Sequence, residues 1–182
     1  MRRLAIVAGL IALSISTAAE ARGRFLFDAA PGITVPIGDG SWRGATGPSF
    51  KMSLRFGGEF WLNRVIGIAG EGDLDLEPVM YSGADPGARV RGLVGFRLLI
   101  GFPRHIGAFF LRNAIGVDYL ASDTGPLALR SGEAALAVEP GLGLQFHFVR
   151  RGVVGFAVDF PIGFFQFLAA DVQLLGFIGA RI

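Results

Sequence analysis

Residues 50–62 read FKMSLRFGGEFWL. The even positions are Phe50, Met52, Leu54, Phe56, Gly58, Phe60 and Leu62, while the odd ones include Lys51, Ser53, Arg55 and Glu59. A period of two belongs to a strand, whose successive side chains leave opposite faces. On a helix the same residues would scatter around the whole circumference.

The pattern spreads outward from there. EGDLDLE, at 71–77, sets Glu71, Asp73, Asp75 and Glu77 against Leu74 and Leu76, with Ile66 and Ile68 on the apolar side. Val90, Val94, Phe96, Leu98, Ile100 and Phe102 alternate with Arg89, Arg91 and Arg97. Leu136, Val138, Leu142, Leu144, Phe146 and Phe148 alternate with Glu133, Glu139, Gln145 and His147. Weaker alternation over 24–36, 106–120, 153–164 and 171–182 brings the expected number of strands to eight. All nineteen charges inside them fall on one face, and Asn113 is the one clear polar residue on the other. Choosing a register for each strand makes eight of those agreements free; the rest would coincide by chance about once in two thousand trials.

Composition narrows the class. The chain has 182 residues, is 52% hydrophobic, and contains 28 glycines and no cysteine, which excludes disulfides and thiolate metal sites. A transmembrane helix needs about 20 apolar residues in a row, whereas a tilted transmembrane strand needs about 9–11. Past the N-terminal leader, the longest stretch without a charge runs 11 residues, 160–170. Seventeen bases, all but Lys51 arginine, nearly balance fifteen acids. That balance reads as a small surplus of arginine without a basic patch, and nucleic-acid binding is not expected.

The leader itself reads as an export signal: Met1-Arg2-Arg3, an apolar stretch from 4 to 15, and Ala19-Glu20-Ala21 as a cleavage site. The expected division is a secretory signal at 1–21, cut after Ala21, and a single domain at 22–182. A retained membrane anchor is the alternative.

Which face meets lipid follows from size and loop length. The polar face is mostly glycine, alanine and charge, small enough to share a narrow lumen, while the other face carries the bulk. A soluble, lipocalin-like barrel would invert the two faces and show more lysine, glutamine, asparagine and threonine outside. Short connections at 63–64, 103–105 and 150–152 alternate with longer ones at 37–48, 78–87, 121–132 and 164–170. Short periplasmic turns and longer external loops are expected of outer-membrane barrels. The fold class is therefore all-β: an eight-stranded antiparallel up-and-down transmembrane β-barrel.

In signal, strand count, loop asymmetry and glycine content the chain resembles the small outer-membrane barrels of the OmpA/OmpX type. The resemblance implies a location in the outer membrane of a Gram-negative bacterium, contact with outer-membrane lipid, and handling by the barrel-assembly machinery. The last strand, DVQLLGFIGARI, resembles the assembly signal of such proteins but ends in Ile182 where an aromatic residue is typical.

Inside such a barrel the carboxylates of 71–77 need partners, since an unpaired buried charge is costly. Lys51 and Arg55 on the second strand, with Arg89 and Arg91 on the fourth, flank Glu71, Asp73, Asp75 and Glu77 on the third. Pairing across the turn at 63–64 sets Arg55 near Glu71 or Asp73, and Lys51 near Asp75 or Glu77. Across the loop after Pro78, Glu77 meets Arg89 and Asp75 meets Arg91. The expectation is a structural ion network holding three strands in register, with an ion path as the functional alternative. A divalent metal site would want oxygen ligands without arginine beside them, so none is assigned. Eight bases face eleven acids in the lumen, leaving Glu139 and Asp159 to be hydrated or protonated.

Catalysis is not expected. His105 lies in a turn and His147 faces the lumen, neither with a serine two or three residues away. No cofactor motif is present; the G-x-x-G of GLVGFRLLIG lies within an alternating strand. Trp42, in the first loop, suits an interfacial position. The apolar connection within FPIGFFQFLAAD, 160–171, reads either as a longer hairpin in lipid or as an exposed patch for a partner or hydrophobic solute. The function expected is a monomeric structural or surface-interaction barrel acting through external loops. The alternatives are passive transport of ions or small hydrophobic solutes, and a soluble periplasmic binding barrel.

Overall fold

The structure, a computed structural model, describes residues 23–62, 65–79, 87–121, 132–148 and 151–182, with backbone alone at 41, 44, 45 and 105. The expected signal segment and cleavage after Ala21 lie outside these residues. Strands β1 (Arg24–Pro36), β2 (Ser49–Trp61), β3 (Ile66–Val79), β4 (Gly87–Gly101), β5 (Gly107–Ala121) and β6 (Glu133–Phe148) run in chain order, each antiparallel to the next. They are followed by β7 (Gly152–Asp159), β8 (Ile162–Phe164) and β9 (Leu168–Arg181), and β9 pairs back onto β1. The sheet is closed.

β7 and β8 are two pieces of one stave. Gly141 faces Asp159 and Val138 faces Ile162, so the register on β6 runs through the gap without slipping. The gap arises because Pro140 and Pro161 have no N–H to give the ladder. The backbone remains tied there by Phe160 N donating to Pro140 O at 2.8 Å and Asp171 N donating to Pro161 O at 3.1 Å. The eight strands expected from alternation are therefore the eight staves of the barrel.

One circuit of paired residues gives the stagger. Arg24 faces Glu59, then Ala69, Arg97, Arg112, Gly141, Asp159 and Gln173 follow in turn, and Gln173 returns to Thr34. The path comes back ten residues further along β1, so the staves are strongly tilted, as closure of a small barrel requires.

The faces are divided as alternation dictates. Large apolar side chains point outward, with Val94 66% and Phe156 65% exposed, while Arg112 and Lys51 inside are 0% exposed. Asn113 points outward among them, level with Pro140. Small residues open space inside. At Gly143 a Cβ would lie 2.3 Å from Phe156 O and 2.5 Å from Phe110 Cζ, so only glycine fits beside that ring.

Candidate functional site

The lumen holds the chemistry of this protein, and its contents follow from the strand pattern. Ten carboxylates and seven bases are buried in it. From the end bearing the long loops to the end bearing the short turns, it is filled in four successive zones.

An aromatic cap closes the loop end. After β1 the chain forms a short helix, α1 (Gly40–Ala45), whose N-cap Asp39 accepts a hydrogen bond from Trp42 N at 2.9 Å. The second oxygen of Asp39 accepts from Leu168 N at 3.1 Å, tying α1 to the start of β9. Trp42 is thereby drawn inside: it is 2% exposed, donates from Nε1 to Asp171 at 2.9 Å, and lies over the Arg89 guanidinium at 5.1 Å. Its interfacial placement, expected from sequence, is incorrect, because the indole covers a charge that would otherwise face the loops. Phe167 stacks on Trp42 at 5.8 Å and Phe165 on Phe167 at 5.5 Å. The segment 160–171 is thus split. Phe160, Phe164 and Leu168 point outward, while Phe165 and Phe167 pack over the mouth beside Val79, Leu120 and Ala169.

Beneath the cap lies the ion network. Arg89 meets both oxygens of Asp118 at 2.9 Å from Nε, and also bridges Asp171. Arg91 reaches Asp75 at 3.1 Å, Glu77 at 3.5 Å and Glu139 at 3.6 Å. Lys51 binds Asp75 at 2.5 Å and donates to Gln173 at 2.5 Å. Arg55 meets Asp73 at 3.2 Å and Asp159 at 2.6 Å. Arg112 meets the most carboxylates, touching Asp73 at 2.6 Å and Asp159 at 3.5 Å and bridging Glu71 and Glu139.

The eight residues singled out from sequence all lie in this network. The register sets Arg55 opposite Asp73, Asp75 opposite Arg91, and Glu77 opposite Arg89. The neighbouring-strand argument could not reach across the lumen. It missed Arg112 and Asp118 on β5, Glu139 on β6, Asp159 on β7 and Asp171 on β9. Their signal was present, since each carries the lumen parity of its strand; what was lacking was the knowledge that opposite walls of a narrow barrel are within arginine's reach. Glu139 and Asp159, for which hydration or protonation had been the expectation, each face arginine.

A third zone is apolar. Leu26, Leu99, Phe110, Val153, Leu175 and Phe177 pack inside the barrel, and Arg97 lies 5.0 Å from the Phe110 ring and 6.0 Å from that of Phe177. Arg97 then reaches up to Glu71 at 2.5 Å and across to Asp28 at 3.5 Å. At the turn end Glu59 receives Trp61, Arg181 and Gln145, and Gln145 Nε2 lies 3.3 Å from His147 Nε2.

Arginine forks take up most of the carboxylate oxygens that a cation would need, although Asp28 Oδ1, Asp75 Oδ1 and Asp159 Oδ1 are buried without a hydrogen bond. Among the described residues no group of three or more His, Cys, Asp or Glu side chains is placed to hold a metal ion.

No protein-family model matches the chain, and no curated protein sequence matches it. Solved structures do. Ail, the attachment invasion locus protein of Yersinia pestis, superposes with a TM-score of 0.55 at 14% identity, over 90% of this chain and 99% of that one. Neisserial surface protein A gives 0.55 at 10% identity, over 87% and 96%. The outer membrane protein OprG from Pseudomonas aeruginosa gives 0.53 at 13% identity, over 89% and 97%. The chain is similar in fold to these small outer-membrane barrels, and a shared fold leaves function to be argued from the site.

Proposed function

We propose that the chain is a non-enzymatic integral barrel of a Gram-negative outer membrane, acting at its loop end in a structural or surface-interaction role. The observation that carries this reading is the filled lumen beneath an apolar exterior. An aromatic cap, a cross-braced ion network and an apolar zone lie in series along the axis, and the bulky side chains lie outside. The ion network has a structural role, holding the staves in register. The leader at 1–21 is the export signal, so the mature protein begins at Arg22.

The fold relatives support a task at the surface. Ail was crystallised in complex with the heparin analogue sucrose octasulfate. Sulfate chemistry is not carried over to this chain, because its loop connections and adjoining strand ends hold Asp39, Asp85, Asp123 and Glu133 against Arg43 and Arg130. A partner complementary to these loops is neutral or cationic.

Electrophoresis of detergent-extracted protein, with and without boiling, tests the barrel: the unheated form migrates apart from the heated one. Planar-bilayer recording tests the sealed lumen, and stable single-channel steps would overturn it. A second reading, passive cation passage, draws on the excess of buried acids over bases. It requires those steps to be cation-selective.

A further inference from the structure

The lumen consumes most of the charge in this chain, so what is left on the surface is sparse and unevenly placed. At the turn end Arg24, Arg104 and Arg151 are all exposed. In sequence, none of the short connections at 63–64, 103–105 and 150–152 contains Asp or Glu. Glu59, which faces Arg24 across β1 and β2, is inside the barrel at 1% exposure and bridges Arg181. Among the described residues, none of the three exposed arginines makes an ion pair. The loop end is the reverse, with acids outnumbering bases. The surplus of arginine therefore collects at one rim, contrary to the reading of an unpatterned balance.

Two features give the rim its setting. The apolar band runs right up to it: Phe25 follows Arg24, and Leu62, Val65, Ile106 and Ile182 are between 53% and 75% exposed at the same edge. The arginines thus stand at the boundary of hydrocarbon and water. Arg104 also holds a backbone φ of 61°, a left-handed conformation that glycine adopts without strain. A guanidinium stands where the turn alone would ask for glycine.

We propose that this rim is a binding surface for anionic phospholipid headgroups in the leaflet at the turn end. The inference rests on the membrane reading and adds a lipid preference to it. Planar guanidinium forks match phosphate oxygens, and basic residues beside a bilayer draw acidic lipid to them. Placement at the edge of the apolar band selects a lipid over a soluble polyanion, which would have to reach the arginines through the headgroup layer.

The test is native mass spectrometry of the folded full-length mature chain in detergent, titrated with dioleoyl phosphatidylglycerol or dioleoyl phosphatidylcholine. Phosphatidylglycerol is expected to bind about fivefold more tightly, the gain of a single basic residue at a membrane surface. The combined variant Arg24→Gln, Arg104→Gly, Arg151→Gln is expected to bring the two lipids to parity, while lysine at all three positions keeps the preference. Gel mobility of the same unheated samples reports folding separately. Loss of the folded band would sink the barrel reading. A folded wild-type barrel with equal affinity for both lipids, or a folded neutral variant that keeps the preference, would overturn this proposal alone.

Discussion

Arg97 and Arg112 stand directly opposite one another on β4 and β5, both facing the lumen, and the Glu71 carboxylate bridges them. Two like charges on paired positions repel. Here they are held together by one acid on β3 and relieved by Asp28, Asp73, Glu139 and Asp159 around them. The pair marks the junction of the ion network with the apolar zone below it.

Glu71→Gln should therefore be among the most damaging single changes. It removes the shared anion and leaves two buried guanidiniums facing each other, at a cost of about 3–5 kcal/mol. Reversing Glu71 and Asp73 to lysine should cost more. The midpoint of urea unfolding, or the temperature at which the compact gel band disappears, measures it. Glu133→Gln at the strand end should leave both unchanged.

At Arg112 charge and shape separate. Arg112→Met takes one basic partner from each of Glu71, Asp73, Glu139 and Asp159, and stability should fall by at least as much as in Glu71→Gln. Arg112→Lys keeps the charge but lacks the planar fork that reaches several acids at once, so its loss should be intermediate. A methionine variant as stable as wild type would mean that the network contributes nothing net, an outcome buried ion pairs do allow.

How much of this was legible in sequence depends on which neighbour matters. Alternation in 50–62 and 71–77 indicated strand identity, facing and the Asp75–Arg91 and Glu77–Arg89 pairings, and narrowed Arg55 to Glu71 or Asp73, because antiparallel pairing is a local rule. Arg112 was placed on the right face, but its role was not legible. Its partners come from three other strands, and which of them meet depends on the ten-residue stagger. Trp42 was misplaced for a related reason. A tryptophan in a loop reads as interfacial, and nothing in 37–48 alone reveals that Asp171, 129 residues away, accepts its N–H.

Trp42→Ala should loosen the loop end without opening the barrel. It removes the cover of Arg89, the hydrogen bond to Asp171 and the stack with Phe167, at about 3–5 kcal/mol for a large aromatic. In a Trp61→Phe background the fluorescence of Trp42 should resist acrylamide quenching, as an indole at 2% exposure must. Bilayer recordings of Trp42→Ala should remain silent, because the ion network lies beneath the cap.

Two glycines should answer differently to the same change. Gly143→Ala drives a methyl against Phe156 O and the Phe110 ring, and should cost about 1–3 kcal/mol. Gly58→Ala projects outward, where nothing lies within 4 Å, and should be neutral or slightly stabilising. Paired unfolding curves decide it; equal effects at the two sites would contradict the assigned facing.

The way the acids of one wall are matched by arginines of another bears on how such a cylinder can be built. A half-finished sheet holding β3 to β5 has Glu71 and Asp73 beside Arg112, but the Glu139 and Asp159 that complete its coordination arrive only with β6 and β7. Lys51 meets Gln173 only when the last stave swings round to the first. Until the seam between β1 and β9 shuts, part of this charge lacks its partners, a cost that weighs against a sheet resting half-closed.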